Sequence, residues 1–274
     1  MVYGLNKGWG YQVRNLAFVV SYDGSSYNGF QSQPFGNTIQ DMLEKAIFEL
    51  TGEVVKVYGS GRTDAGVHAQ AQMVNFYTDA QISVERFSLA MNTRLPKDIV
   101  VLRAAVVPDG FHARRHALQK TYQYTIQRTK FPDVFERGYR FHHPLRLDIE
   151  AMRTALKYFE CTHDFTSFCS VKSAKGSHVR TIMEARLEFE PSPPDWYGEA
   201  GVIRIYITGN DFLHNMVRII VGTLLQVGEG KRKAEEIPAI LAAMSRQKAG
   251  PTAEAHGLML WDVQYDLPGI TFYS

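Results

Sequence analysis

The chain has only two cysteines among its 274 residues, a net charge of only +2, and no long uninterrupted apolar stretch. Cys161 and Cys169 cannot form a disulfide framework, and their spacing matches no common zinc motif. A membrane-spanning helix needs about 20 largely apolar residues, so we expect no membrane segment. The first residues also lack the apolar core and small-residue cleavage site of a secretory signal, and we therefore expect a cytoplasmic protein.

The composition is that of a globular protein, with 45% hydrophobic and 21% charged residues. This length suits one large domain or two ordinary ones. The charge is unevenly distributed, because residues 111–180 contain 13 lysines and arginines against 6 aspartates and glutamates. Aromatic residues are interleaved with these cations, a combination that attracts a phosphate backbone. A solvated basic face would have the same composition, so charge alone leaves nucleic-acid binding open.

Alternating apolar residues predict strands in the first half of the chain, and apolar residues at helical spacing predict helices. The predicted order is strand, helix, strand, strand, helix, strand, at residues 14–22, 38–50, 54–58, 71–77, 84–92 and 99–107. Thr38 followed by Asp41 resembles a capping box, and Gly52 is expected to end that helix. This order is typical of a ferredoxin-like domain with an antiparallel sheet, which RNA-recognition domains share.

A Pro-Asp-Gly sequence at residues 108–110 predicts a domain boundary, dividing the chain into residues 1–108 and 109–274. The second part again mixes the two periodicities. Strands are predicted at 121–127, 179–189, 202–208 and 258–265, helices at 149–159, 212–227 and 234–244, and a turn-rich connection at 191–201. We therefore predict an α+β protein made of two ferredoxin-like (RRM-like) domains with antiparallel sheets.

The sequence GSGRTDAGVHA, at residues 59–69, lies between two predicted strands. Its glycines permit positive φ and close backbone approach. Asp64 could therefore bond neighbouring amides in a tight turn, with Arg62 as its ion-pair partner. It could equally be a catalytic carboxylate on a shaped loop, and the loop by itself does not decide between these interpretations.

The chain resembles the TruA family of tRNA pseudouridine synthases in several motifs that occur in the family's order. The motifs are YDGSSYNGFQSQP at 22–34, GRTDAGVHA at 61–69, FHAR at 111–114, HDFTSF at 163–168, HVRTI at 178–182, FLHNMVRIIVG at 212–222 and GPTAEAHGL at 250–258. The resemblance extends from about residue 14 to residue 265. Arg115, Glu254 and the first thirteen residues depart from the family's usual pattern, but none of these departures removes a catalytic group.

This resemblance implies the pseudouridine synthase fold and isomerisation of uridine to pseudouridine at tRNA positions 38, 39 and 40, in the anticodon stem-loop. Asp64 corresponds to the catalytic nucleophile and Arg218 to the arginine that pairs with it. Tyr122 corresponds to a tyrosine that stacks on the target uracil, Arg62 to an arginine that helps to flip the nucleotide, and Leu258 to a residue of the uracil pocket. The resemblance also implies a homodimer with tRNA crossing both subunits. The reaction changes no oxidation state and adds no water, so we expect no metal and no cofactor.

Several alternatives remain open at this stage. Arg218 alone could be a snorkelling side chain of an apolar helix, Tyr122 and Leu258 could be core residues, and Tyr124 is expected to pack in the core. Arg114, Lys172 and Lys175 are candidates for RNA-backbone contacts because they lie in the basic stretch. A noncatalytic RNA-binding protein and a hydrolytic nucleosidase are the rival functions. The first covalent step and the acceptor of the C5 proton are not determined.

Overall fold

The structure is a computed structural model that describes residues 13–170, 176–195 and 198–274. Its helices are α1 (Ile39–Thr51), α2 (Val84–Asn92), α3 (Ile149–Lys157), α4 (Met216–Gly228) and α5 (Ile237–Ala242). Its strands are β1 (Arg14–Tyr22), β2 (Tyr58–Gly59), β3 (His68–Thr78), β4 (Ile99–Val107), β5 (Gln119–Arg128), β6 (Phe141–His142), β7 (Thr162–Asp164), β8 (Val179–Asp195), β9 (Gly198–Gly209) and β10 (Leu258–Gln264). The predicted α+β class is confirmed.

The described strands form one ten-stranded sheet in the order β4-β1-β3-β10-β5-β9-β8-β7, with β2 beside β3 and β6 beside β5. Neighbouring strands are antiparallel except for β10 with β3 and β6 with β5, which are parallel. The sheet is thus continuous between the two halves of the chain through β10. The division into residues 1–108 and 109–274 stays a prediction.

Helix α1 begins and ends where its capping residues indicate. The Thr38 hydroxyl accepts a hydrogen bond from the Asp41 amide, and the Asp41 carboxylate accepts one from the Thr38 amide, both at 3.2 Å. Gly52 follows the helix with a φ of 76°, and its amide donates to the Phe48 carbonyl at 2.8 Å. Both predictions about this helix are confirmed, because capping depends on neighbouring residues alone.

The predicted strand at 54–58 is wrong, since only Tyr58–Gly59 pairs with β3. The Val57 amide donates instead to Glu44 Oε1 of α1 at 2.9 Å, so the buried Val57 side chain reflects packing rather than strand pairing. The helix predicted at 234–244 is also wrong in extent: a short 3₁₀ turn precedes α5. Pro238, in the first turn of α5, has no amide hydrogen for a bond to the preceding turn.

Two further boundaries differ from the prediction. Helix α4 begins at Met216 rather than near residue 212, because Asn215 adopts a left-handed conformation with a φ of 61°. Strands β8 and β9 extend through most of the predicted turn-rich stretch, up to Asp195 and from Gly198. The left-handed Asn215 turns the backbone just before α4, beside the candidate site.

The core gathers apolar side chains from the sheet and the helices. Phe18 and Phe76 of the sheet contact each other edge-on, with ring centroids 5.0 Å apart, and both contact Phe87 of α2, at 5.5 and 6.1 Å. Helix α4 is buried over almost all of its surface, from Met216 to Gly228. A helix held this firmly fixes the position of any polar side chain in its first turn, and Arg218 lies there.

Candidate active site

The loop that precedes β3 presents Asp64 through contacts made by its neighbour Thr63. The Thr63 hydroxyl lies 2.8 Å from the Tyr22 hydroxyl, and the Thr63 carbonyl accepts from the Phe30 amide at 3.1 Å. Gly29 has a φ of 87°, and a Cβ at this position would lie 2.6 Å from the Thr63 carbonyl oxygen. Only glycine fits this approach. The motif at residues 22–34 therefore packs against the Asp64 loop and holds it in place.

The start of α4 presents Arg218 and fixes its guanidinium group. Arg218 Nε donates to the Ala253 carbonyl at 2.7 Å, and Arg218 Nη1 donates to Asn215 Oδ1 at 3.0 Å. The Ala253 amide in turn donates to the Arg218 carbonyl at 3.0 Å. The left-handed Asn215 and the segment around Ala253 therefore orient the arginine before any substrate binds.

Asp64 and Arg218 meet in an ion pair, with Arg218 Nη1 3.3 Å from Asp64 Oδ2. His214 Nε2 lies 3.4 Å from the other carboxylate oxygen. The exposed fractions of the Asp64 and Arg218 side chains are 27% and 17%, so the pair is accessible from one side. The aspartate is thus held beside the N-terminus of α4, an environment that favours an anion.

Sequence reasoning missed His214 and Asn215, although both belong to the motif FLHNMVRIIVG. The feature that could have identified them is their position just before Arg218, because neighbouring residues at the start of a helix lie close together in space. The reading in which Arg62 is the ion-pair partner of Asp64 does not describe this structure. Arg62 is exposed, and its side chain makes no hydrogen bond or ion pair with the residues described here.

A cleft of about 1090 Å³ opens above the Asp64–Arg218 pair. Of the predicted site residues, Arg62, Asp64, Arg114, Tyr122 and Leu258 line it. Arg218 is not among the residues that line the cleft, but it contacts Asp64, which is. Lys172 and Lys175, predicted to contact RNA phosphates, lie outside the described residues. Residues that are far apart in sequence, from β5, β10 and the loop before β3, are therefore brought to one cavity.

Tyr122 lies in the wall of this cleft and is almost completely buried. Its ring contacts Phe212 edge-on at 5.0 Å. Burial raises the pKa of the Tyr122 phenol well above its usual range, and the charges of Asp64 and Asp211 raise it further. Tyr122 is therefore protonated at neutral pH and offers an aromatic surface and an O–H donor.

Tyr124 and Leu258 occupy the same region of the sheet. Tyr124 is completely buried and donates a hydrogen bond to the Glu254 carbonyl at 3.0 Å, in agreement with the packing role predicted for it. Leu258 is also buried and opposes Tyr124 in the pairing of β10 with β5. The last motif of the chain thus supplies an apolar wall of the cleft.

A second ion pair, not predicted from the sequence, lines the same cleft. Lys120 is buried, and its Nζ lies 2.7 Å from Asp211 Oδ1, while Arg180 Nε lies 3.8 Å from Asp211 Oδ2. Burial acts to raise the pKa of Asp211, but the two cations and a backbone hydrogen bond outweigh it and hold that pKa below its usual range. With Arg62 and Arg114, these residues give the cleft more cations than anions.

His68, in the signature loop motif, is buried and joins three segments behind the site. Its Nδ1 accepts from the Gly24 amide at 3.0 Å, and its Nε2 lies 3.1 Å from the His256 carbonyl oxygen. Burial lowers the pKa of His68, although Asp23 Oδ1, 3.1 Å from Nδ1, acts to raise it. The accepted bond from Gly24 requires a neutral ring protonated on Nε2.

Within residues 13–170, 176–195 and 198–274, no group of three histidine, cysteine, aspartate or glutamate side chains is arranged to hold a metal ion. Over the same residues, no helix has the length and apolar character needed to cross a membrane.

The sequence comparisons agree with this geometry. The family model described as tRNA pseudouridine synthase matches residues 18–114 and 155–266. Those ranges contain the Asp64 loop, α4 and β10, which together build the cleft. The chain therefore belongs to the tRNA pseudouridine synthase family, and its class of activity is that of an isomerase.

Curated relatives narrow the class further. The chain is similar to tRNA pseudouridine synthase A of Bacillus subtilis, with 46% identity over 92% of this chain and 99% of that protein. It is similar to the proteins of the same name from Anoxybacillus flavithermus, with 46% identity over 93% and 100% of the two chains. The corresponding figures for the Shouchella clausii protein are 47%, 92% and 94%. The resemblance to the TruA family found in the sequence motifs is confirmed.

Proposed function

We propose that this protein isomerises uridine to pseudouridine in tRNA and that Asp64 is the nucleophile. The main observation is the accessible Asp64 carboxylate, 3.3 Å from Nη1 of the partly buried Arg218, at the base of a cation-rich cleft. Arg218 keeps the carboxylate charged and oriented when RNA covers the cleft, because an opposite charge offsets desolvation.

The reaction requires the target uridine to leave the base stack, which costs a few kcal/mol. Tyr122 provides an aromatic surface, and base–aromatic stacking returns about 1–3 kcal/mol. Arg62 is exposed and unpaired within the described structure, so it is free to contact the RNA that the nucleotide leaves. Leu258 forms an apolar wall for the uracil. Capture of the base therefore offsets the cost of its extrusion.

Asp64 attacks the nucleotide and bonds to it, the bond from C1′ to N1 breaks, and the detached uracil rotates. C5 then bonds to C1′ and the bond to Asp64 breaks, which regenerates the carboxylate. N1 gains a proton, and C5 loses one. The C5 proton must leave in a later step. Tyr122 is protonated at neutral pH and holds its proton strongly. A phenol can take up the C5 proton only after it has lost its own, so in the resting enzyme Tyr122 acts as a stacking surface and a hydrogen-bond donor.

We place the target at positions 38, 39 and 40, in the anticodon stem-loop. The support for this assignment is the resemblance of the motifs at residues 22–34, 61–69 and 212–222 to the TruA family. The cation excess of the cleft also suits the phosphates of a stem-loop. Each tRNA position should be converted by the same Asp64.

The test is pseudouridine-specific chemical labelling of tRNAs that contain uridine at only one of the three positions. Wild-type protein should form pseudouridine that the reagent labels. Before labelling, the RNA should keep its mass and no uracil should be released. Asp64→Asn should bind tRNA but form no pseudouridine. Asp109→Asn, at an exposed aspartate outside the cleft, is the matched control and should be fully active. Free uracil would establish the nucleosidase instead, and binding without label would establish a noncatalytic RNA-binding protein.

We further propose a cytoplasmic homodimer that works without metal or organic cofactor. The family resemblance supports the dimer, tRNA as substrate supports the location, and a redox-neutral isomerisation supports the absence of a cofactor. Light scattering should give twice the 31.0 kDa chain mass. Activity on prefolded tRNA should survive chelator treatment of the protein, and recovery of lost activity by added zinc would refute this part of the proposal.

A further inference from the structure

A second cleft lies beside the candidate active site and is not used by the proposed reaction. This side cleft has a volume of about 450 Å³. Its charged and aromatic lining residues are Phe30, Lys56, Tyr58, Arg62, His112, Arg114 and Arg115. Gly61, Arg62 and Arg114 line both cavities. A ligand in the side cleft would therefore lie next to whatever occupies the active site.

The side cleft is strongly basic. No aspartate or glutamate is among its lining residues. The side chains of Lys56, Arg62, Arg114 and Arg115 make no ion pair with any carboxylate in the part of the chain that the structure describes. Glu44 is close to the rim, but its Oε1 already accepts from the Val57 amide at 2.9 Å and from Gln40 Nε2 at 2.7 Å. Four cations without counter-charges form a site for a polyanion.

The side cleft also contains a fixed aromatic pair. The rings of Tyr58 and His112 have centroids 5.0 Å apart and an interplanar angle of 46°. Tyr58 is anchored by the pairing of β2 with Asn75 of β3, and His112 Nδ1 accepts from the Arg114 amide at 3.1 Å. Burial lowers the pKa of His112, and the neighbouring Arg115 lowers it further, which favours the neutral form of this ring. Both rings are half-buried, which leaves part of their surface for a ligand.

We propose that the side cleft binds one nucleotide of the substrate RNA that neighbours the target uridine, with its base on the Tyr58–His112 pair and its phosphate between Arg114 and Arg115. This inference rests on the proposed function. A phosphate next to a base is the ligand that combines negative charge with an aromatic face, and the volume lies within the usual range of about 300–1,000 Å³ for ligand cavities. The shared wall formed by Arg62 and Arg114 lets one RNA strand enter both cavities.

The consequence for recognition is that the enzyme holds two successive parts of one strand. The target base enters the active site, and the neighbouring base is held outside it by stacking, which tolerates any base identity. Sequence preference at the neighbouring position should therefore be weak. A single enzyme can then accept targets with different neighbours.

The test is a double-mutant cycle between the protein and the RNA, in the Asp64→Asn background so that the RNA stays unmodified. Each anticodon-arm RNA in the set carries a single abasic site, at one of the two nucleotides that flank the target. The affinity of the protein for each RNA is measured by fluorescence anisotropy. At one position the abasic site should weaken binding by roughly 5- to 100-fold. The protein with the additional change Tyr58→Leu should bind intact RNA as weakly as the parent protein binds the abasic RNA. Its affinity should not fall further when that RNA carries the abasic site.

Tyr58→Phe retains the ring and should behave like the parent protein, which separates stacking from loss of fold. Tyr158→Leu, at a half-buried tyrosine that follows α3 and lines neither cleft, is the matched control and should keep the full abasic penalty. Arg115→Gln should reduce the slope of log affinity against log salt by about 0.7–0.9. Lys157→Gln on α3, outside both clefts, should leave it unchanged.

Losses that are additive at every position would overturn the inference. If wild-type protein makes pseudouridine while the losses are additive, only the side-cleft assignment fails. Absence of both pseudouridine and tRNA binding would refute the proposed function and the inference together. Micromolar binding of free uridine monophosphate that Tyr58→Leu abolishes would place a free nucleotide in the side cleft and overturn the assignment to RNA.

Discussion

Asp64 and Arg218 are separated by 154 positions in the chain, yet Arg218 Nη1 lies 3.3 Å from Asp64 Oδ2. Two further hydrogen bonds, to Asn215 and to the Ala253 carbonyl, hold the guanidinium group in place. The arginine therefore has three partners of which only one is the candidate nucleophile. Its loss should disturb both the fold and the chemistry.

Arg218→Ala should lower the unfolding free energy by about 1–3 kcal/mol, because it leaves the Ala253 carbonyl and a partly buried carboxylate without their donor. It should also reduce single-turnover isomerisation at least tenfold. Arg218→Lys should restore little, since a point charge cannot reproduce three divergent bonds of a planar group. Thermal melting and quench-flow assays measure the two effects. Arg204→Ala removes a surface ion pair with Glu190 and should cost about 0–1 kcal/mol with normal activity. Full rescue by lysine would contradict this assignment.

Arg62→Ala should behave differently, because the Arg62 side chain is exposed and has no partner within the described structure. Its melting temperature should be close to that of the wild type, while conversion of a paired target uridine slows. The defect should shrink on an anticodon-arm RNA whose target uridine is already unpaired, because flipping then costs less. Early melting, or equal loss on both RNAs, would show that Arg62 is structural or takes part directly in the chemistry.

His68 predicts a dependence of stability on pH. Burial holds the folded-state pKa of His68 below the unfolded value of about 6.5, so the unfolded chain binds more protons in this range. Stability should therefore fall as the pH drops below about 6.5, until the folded-state pKa is also passed. Asp23 reduces the effect without reversing it.

His68→Gln retains an acceptor for Gly24 and a donor for the His256 carbonyl but does not titrate. Melting temperatures of the two proteins should converge as the pH falls from about 8 to about 5. A wild-type advantage that grows in acid would show that protonated His68 stabilises the fold, and the proposed neutral ring would then be incorrect.

The affinity for tRNA should fall steeply with salt if the basic residues of the chain neutralise phosphates. Arg114 lines both clefts, and Arg114→Gln should reduce the slope of log affinity against log salt by about 0.7–0.9. Lys172→Gln and Lys175→Gln test the remaining predicted contacts in the same way. Filter binding at several salt concentrations measures the slopes. Unchanged slopes in all three variants would place the RNA elsewhere.

Local patterns predicted much of the fold, including β1, α2 and β4 with their observed bounds. Periodicity describes which face of an element is buried, and it served for α2 and β4, which have both buried and exposed positions. Strand β1 is buried on both faces, so its apolar and β-branched residues predicted it as much as their alternation did. Periodicity does not say where the backbone amides bond, and this is why the strand predicted at residues 54–58 is wrong. Val57 is buried as predicted, but its amide donates to Glu44 of α1 instead of to a neighbouring strand. Bonds between distant side chains and the backbone leave no periodic signal.

The candidate site shows the same limit. The motif resemblance singled out Asp64 and Arg218, but His214 on the carboxylate and the Lys120–Asp211 pair were found only in three dimensions. An isolated lysine in an alternating strand is indistinguishable from a solvent-exposed one. Its burial depends on Asp211, 91 positions later in the chain. Such pairs require the topology of the sheet to be known.

The position of β10 between β3 and β5 affects how the protein is made. During synthesis the chain emerges from the ribosome starting at its N-terminus, so the Asp64 loop and β5 are available long before residues 250–264. Until that segment arrives, the start of β3 and residues 119–124 of β5 each lack a strand partner on one edge. Arg218 also lacks the Ala253 carbonyl, and the cleft has no Leu258 wall. We therefore expect a nascent chain that lacks residues 250–264 to be inactive, and activity to begin only after that segment has been made. The exposed edges during that interval are the places where a chaperone would be needed most.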